Sequence, residues 1–206
     1  RVLWNLQELP TDEAICGWND PGIPELNKSQ WNAENVWVKG MYYRIYYQIT
    51  LCNEFIWQAR DEKLAERGFS TADVEMIRKF RNEARFLRAL SYYHALDLFG
   101  NVPFVTELDQ VGAFQPKRIE RAALFEYVED ELLAIEDQLL PASSAPYGRA
   151  SQAAVQSLLA KLYLNAEVYS GTPRYNDCAT YCEKIMNGNT HQLSSNYQSL
   201  FLADNN

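Results

Sequence analysis

Arg81-Asn82-Glu83-Ala84-Arg85-Phe86-Leu87-Arg88-Ala89-Leu90-Ser91-Tyr92-Tyr93 is the stretch whose reading decides the fold. Carried outward, Ile77, Phe80, Ala84, Leu87, Ser91, His94 and Leu98 recur at steps of three and four, the repeat of one helix face. Phe86, Leu90 and Tyr93 widen that stripe onto a second side. A helix that is apolar on two sides is sandwiched between neighbours, so this stretch predicts a stack of helices. Gly100 ends it near Phe99. Asn101-Val102-Pro103-Phe104-Val105 cannot continue it, because Pro103 has no N–H to donate and pushes Val102 extended. Upstream, Ser70 can cap the same helix, with Asp73 three residues on as a variant of the capping box.

The pattern continues in both directions. Trp37, Met41, Ile45, Ile49, Cys52, Ile56 and Ala59 predict one helix from Asn35 to Glu66, closed by Gly68. Phe125, Val128, Leu132, Ile135 and Leu139 predict another, whose acids Glu126, Glu129, Asp130, Glu131 and Glu136 read as a solvated face. Pro141 to Gly148 is a loop. Ser151 can cap a fourth helix carrying Val155, Leu158, Leu159, Leu162, Ala166 and Tyr169. Gly171-Thr172-Pro173 breaks it before a short fifth with Ala179, Cys182 and Ile185, ended by Gly188. No strand is expected, so the class is all-α. The last two helices span about one tetratricopeptide length. Such a pair cannot bury its apolar face alone, which predicts antiparallel pairs stacked in a right-handed superhelix.

Composition sets the outer bounds. The 206 residues carry 47% hydrophobic side chains, too many for a disordered chain, and suit a single unit over 1–206. The net charge of −8 lacks the basic footprint that nucleic acid demands. No uncharged apolar run of about 18 residues is present to cross a membrane. Opening at Arg1-Val2-Leu3-Trp4 and stopping at Asn205-Asn206, the sequence reads as a fragment trimmed at both ends. Phosphate loops, dinucleotide fingerprints, HExxH and nucleophile elbows are absent, and no cofactor is expected. His94 and His191 are too few and too far apart for a histidine-rich metal site. Asp12 and Asp20 offer oxygen ligands, but without the spaced carboxylates of a calcium loop. Cys178 and Cys182 lie at i, i+4 rather than in CxxC, so with Cys16 and Cys52 they read as buried core thiols. Asn27-Lys28-Ser29 is a lone sequon.

Aromatic residues make up 13% of the chain, and Tyr and Trp suit wet binding surfaces as well as cores. Tyr42, Tyr43, Tyr46 and Tyr47 flank the apolar stripe of the first helix and read either as its packing edge or as a stacking platform. Arg81, Arg85 and Arg88 form a basic stripe, read either as an anion groove or as partners of carboxylates such as Glu83. The segment from Trp18 to Trp31 differs, because it combines two indoles with Asn19, Asp20, Glu25, Asn27 and Gln30 and three turn-formers. A sugar ring has an apolar C–H face and a hydroxyl rim, so its site needs an aromatic plate beside amides and carboxylates. Loops on rigid scaffolds carry such sites. Trp18, Asn19, Asp20 and Trp31 are therefore the candidate ligand-binding residues.

Three motifs resemble one family. Residues 81–93, continued by Leu98-Phe99-Gly100-Asn101-Val102-Pro103-Phe104-Val105-Thr106-Glu107, are similar to the SusD/RagB signature helix and its following turn. Gly148-Arg149-Ala150-Ser151 with Leu158-Leu159-Ala160-Lys161-Leu162-Tyr163-Leu164 resembles a second family stretch. Thr11-Asp12-Glu13 and Trp18-Asn19-Asp20-Pro21-Gly22 resemble a third. The resemblance implies a surface-exposed outer-membrane lipoprotein of Bacteroidetes that is not an enzyme. It implies capture of glycan, or of peptide in the RagB branch, for delivery to a SusC-like TonB-dependent transporter. It also implies that this is the N-terminal helical portion, with the lipid anchor and the C-terminal half absent and Cys16 not the anchor. A tetratricopeptide-type protein scaffold is the other reading. An all-α glycosidase, needing two carboxylates about 5–9.5 Å apart, ranks below both.

Overall fold

A computed structural model describes residues 1–109, 112 and 114–203. In chain order these form α1 (Val2–Glu8), α2 (Ile23–Asn27), α3 (Val36–Gln58), α4 (Asp61–Glu66) and α5 (Thr71–Phe99). A two-residue antiparallel pair follows, β1 (Val102–Pro103) with β2 (Arg118–Ile119). Then come α6 (Arg121–Ile135), α7 (Gln152–Leu164), α8 (Ala166–Ser170) and α9 (Tyr175–Asn187). Short 3-10 turns occupy Glu136–Gln138 and Tyr197–Phe201. The fold is all-α and tetratricopeptide-like, as the sequence predicts, with the small β1–β2 clip the only strand pair among the described residues. Among the described residues no helix is long and apolar enough to cross a membrane.

The sandwiched helix is α5. Ser70 Oγ accepts from the Asp73 N–H at 3.2 Å and starts it, and Gly100 at φ +70° ends it. One side meets α3 and the other α6. Tyr42 packs on Phe99, Asn53 bonds Arg88, and Asp61 pairs with Arg78 and Arg81. The partner's number falls as the first rises, so α3 and α5 run antiparallel. Arg85 with Glu131 and Tyr92 with Tyr127 give the same direction for α5 and α6. The Asn101 side-chain oxygen takes the Arg121 N–H at 2.7 Å and starts α6 just beyond the β clip. The core joins Met41, Ile45 and Ile49 to Tyr92, Leu96, Leu124 and Leu132, and on to Leu159, Tyr163 and Tyr181. Each large apolar side chain buried there contributes roughly 1.5–3 kcal/mol.

Several expectations need correction. The helix predicted over Asn35–Glu66 is two helices. Arg60 is extended (φ −68°, ψ 148°), and Arg81 donates to the freed Ala59 carbonyl at 2.9 Å. No Gly or Pro marks that break, so periodicity ran through it. The helix predicted to reach Tyr169 likewise breaks at Asn165 (φ −105°, ψ 12°). The α9 stripe is displaced: Tyr181 is buried against Tyr163, whereas Ala179 and Cys182 are exposed. Only Cys52 is fully buried; Cys16 and Cys178 are partly so, and all four thiols are free. On α5, Leu87 is exposed, and Ala89, Tyr92 and Leu96 take the deepest positions. The acids of α6 are not all solvated. Glu129 binds Tyr163 and Arg174, Glu131 binds Arg85 and Arg88, and Glu136, just past α6, binds Gln156, Tyr181 and Lys184. The Arg81–Arg85–Arg88 stripe is thereby a set of ion pairs, and Glu83 serves Arg149 instead.

Candidate functional site

The Trp18–Trp31 segment is pinned at several points, Ser29 Oγ donating to the Pro10 carbonyl at 3.3 Å among them. Asn27 takes the Cys16 N–H on its side-chain oxygen and returns its amide to the Cys16 carbonyl at 2.9 Å. The Arg1 guanidinium binds Asp20 at 2.8 Å and lies 4.9 Å from the centre of the Trp37 ring. Trp37 Nε1 donates to the Pro21 carbonyl at 3.0 Å. Asn35 caps α3 by accepting from the Trp37 and Val38 N–H groups, and its amide donates to the Gly22 carbonyl at 3.0 Å. Gly22 has φ +85°, and a Cβ there would stand 2.9 Å from Trp37 Cδ1 and 3.0 Å from Asn35 Nδ2. Only glycine fits, because the backbone turns left-handed against the start of α3. Pro24 in the first turn of the short α2 (Ile23–Asn27) continues from it, burying Ile23 and Leu26 against Leu9.

These pins hold Trp18 and Asn19 outward on the segment between Cys16 and Asp20. Trp18 is 70% exposed and, among the described residues, has no hydrogen-bond or ring partner. Asn19 is exposed, and Asp20 is half-buried under Arg1. Trp31 is 42% exposed and lines two clefts. One, of about 310 Å³, is apolar, with Leu6, Pro10, Val38 and Phe99. The other, of about 320 Å³, is polar, with Glu25, Gln30, Asn32 and Glu34. Glu34 is held by Lys39 at 2.9 Å, and this hydrogen bond raises the lysine pKa above its ordinary value. Trp18, Asn19 and Asp20 line neither cleft, so the structure separates the first three candidates from the fourth. Sequence reading missed Arg1 and Trp37, whose contact across 36 positions no local pattern encodes.

The tyrosines divide by face. Tyr42 and Tyr46 are half-buried against Phe99 and the Pro103 carbonyl, which accepts from Tyr46 Oη at 2.7 Å. Burial pushes the Tyr46 phenol pKa up, with neighbouring Tyr42 adding to the shift. Tyr43 and Tyr47 are exposed. Arg88, 3% exposed, ties Asn53, Glu107 and Glu131 together below the Val105–Asp109 turn. Among the described residues no three His, Cys, Asp or Glu side chains are grouped to hold a metal ion.

Comparison with known proteins adds the family. Residues 17–164 match the model of the SusD-like family, described as starch-binding and associating with the outer membrane. The starch-binding protein SusD of Bacteroides thetaiotaomicron is 37% identical over all 206 residues. The chain spans 35% of that protein's length. A SusD superfamily protein from Parabacteroides distasonis superposes with a TM-score of 0.77 at 23% identity, over 97% of this chain and 41% of that one. A laminarin-binding SusD-like protein gives 0.70 at 23% identity, over 87% and 37%. At such identities these two likenesses establish the fold.

Proposed function

The chain belongs to the SusD-like family, and on that premise we propose that it is part of a non-enzymatic glycan-binding protein of the outer-membrane surface. In this reading it captures oligosaccharide or polysaccharide and passes it to a SusC-like TonB-dependent transporter. The observation that carries the reading is the pinned, outward indole of Trp18. A loop held by Asn27, Arg1, Trp37 and Asn35 leaves that apolar plate exposed, with Asn19, also exposed, following it in the chain. The backbone on either side of it is held by these bonds, so a sugar stacking on the ring need not also order the loop. Trp31 supplies a second plate beside the carboxylates and amides of the polar cleft.

Native gels cast with a panel of polysaccharides, starch and laminarin among them, test this reading. Retarded migration in at least one glycan, with no release of smaller sugars on incubation, is expected. Product release overturns the non-enzymatic assignment. Tight peptide binding with no retardation in any glycan moves the assignment to the peptide-binding branch. Co-purification with a SusC-like transporter tests the hand-over separately, and a transporter that never co-purifies contradicts it.

A further inference from the structure

Inward of the loop, α1, α3 and α5 border a cavity of about 230 Å³. Its polar lining is Arg1, Arg44, Gln48, Ser91 and His94, and no lining residue carries a carboxylate. Arg1 is already engaged by Asp20 and Trp37. Ser91 already donates its O–H to the Leu87 carbonyl at 2.9 Å. The Arg44 guanidinium has no ion pair or hydrogen bond among the described residues. His94 Nδ1 is buried without a hydrogen-bond partner. Two nitrogen groups without a protein partner, one cationic, therefore line a pocket with no Asp or Glu among its described lining residues; Asp20 reaches it only through Arg1, and Asp97 acts on His94 from outside the lining.

We propose that this cavity takes the acidic substituent of a glycan, a uronate carboxylate or a sulfate, with Arg44 as its counter-ion and Gln48 and His94 as polar neighbours. This rests on the glycan-binding reading and names the ligand class. Arg1 belongs both to the cavity and to the Asp20 contact, so the pocket adjoins the loop that carries Trp18. Its volume is below the roughly 300–1,000 Å³ of sites that enclose a whole small ligand, which suits one substituent rather than a sugar chain. Guanidinium matches carboxylate and sulfate geometry and is weakly hydrated, so Arg is well suited to such a pair. The net charge of −8 does not oppose it. Charges beyond about 8–10 Å are screened at physiological salt, and the pocket itself is basic. Burial lowers the His94 pKa, Asp97 pulls it up and Lys161 pushes it down. Arg1 and Arg44 share its cavity, so a bound oxyanion adds the compensating charge that favours the imidazolium.

The test is NMR of the histidine rings in the purified protein, titrated separately with glucuronate, sulfate and glucose. The chain has two histidines, and exposed His191 is the internal control. Glucuronate, sulfate or both are expected to move the His94 resonances and raise its titration midpoint, leaving His191 unmoved, and glucose is expected to do neither. Response to one anion alone identifies the source. Arg44→Gln, at an exposed and unpaired position, should keep the melting temperature and weaken anion binding at least tenfold. No His94 response to either anion, or an unchanged affinity in Arg44→Gln, overturns the inference. Calorimetry with a neutral oligosaccharide and its uronate-bearing analogue separates the two claims. Equal affinity for both overturns the acidic site and leaves the glycan reading standing. Binding of neither removes the glycan reading, and the acidic-glycan assignment with it.

Discussion

Replacing Gly22 by Ala tests how the binding loop is built. At φ +85° an L-residue costs about 1–2 kcal/mol. The added Cβ would also meet Trp37 Cδ1 at 2.9 Å, Asn35 Nδ2 at 3.0 Å and Val36 Cγ2 at 3.1 Å. These atoms belong to the cap of α3 (Val36–Gln58), so relief must displace Asn35, whose capping is worth about 1 kcal/mol. The total is about 3 kcal/mol. For a chain near 200 residues this lowers the melting temperature by about 6–12 °C, taking about 2–4 °C per kcal/mol. Thermal melts followed by circular dichroism read it, and affinity gels read the expected loss of glycan retardation. Gly17→Ala is the control, since nothing lies within 4 Å of its Cβ position. A Gly22→Ala protein that melts within about 2 °C of wild type and is retarded normally would refute the account of the loop.

Other perturbations follow from the buried pairs and the thiols. Arg88→Met leaves Glu107 and Glu131 short of a partner and should cost about 3 kcal/mol at pH 7 by urea denaturation, the lower end for a broken buried pair because Arg85 still holds Glu131. Burial opposes the charge on Glu131, but the Arg85 hydrogen bond and the Arg88 charge overcome it and hold its pKa below the usual range. That stability is present above the ordinary carboxylate value of about 4.3 and is lost as pH falls through the lowered folded value, so the gap between wild type and variant should close in acid. A gap that widens below pH 4 contradicts this. Cys182 should react first with a thiol reagent at pH 8, and Cys52, buried with its thiol pushed up to about 11, only after unfolding. Equal rates for the two in the native protein would contradict the burial pattern.

The stacked helices were legible because burial on two sides writes a wide stripe into α5 (Thr71–Phe99), and because Ser70, Gly100 and Pro103 punctuate it. The breaks at Arg60 and Asn165 were not, since no Gly or Pro marks the first and the stripe of Leu162–Ala166 continues across the second. Those bends answer tertiary contacts, Arg81 on the Ala59 carbonyl being one. In α9 (Tyr175–Asn187) the small residues Ala179 and Cys182 suggested a face that the larger Tyr181 takes instead. Acids of α6 (Arg121–Ile135) looked solvated because their arginine and tyrosine partners lie 34–46 positions away in the chain. In the site, the chemistry of Trp18, Asn19, Asp20 and Trp31 was visible as composition. Their separation was not, because it depends on Gly22, Asn27 and Trp37 folding the loop back on α3.

The central claim is that exposed indoles on the pinned loop hold glycan. Titrating the retained glycan against wild type, Trp18→Ala and Trp31→Ala by calorimetry tests it most directly. The account predicts at least a tenfold weaker dissociation constant for Trp18→Ala, about 1.4 kcal/mol, and a smaller loss for Trp31→Ala, with melting temperatures unchanged. Unchanged affinity in both variants, or a loss of affinity accompanied by a large fall in melting temperature, would contradict it.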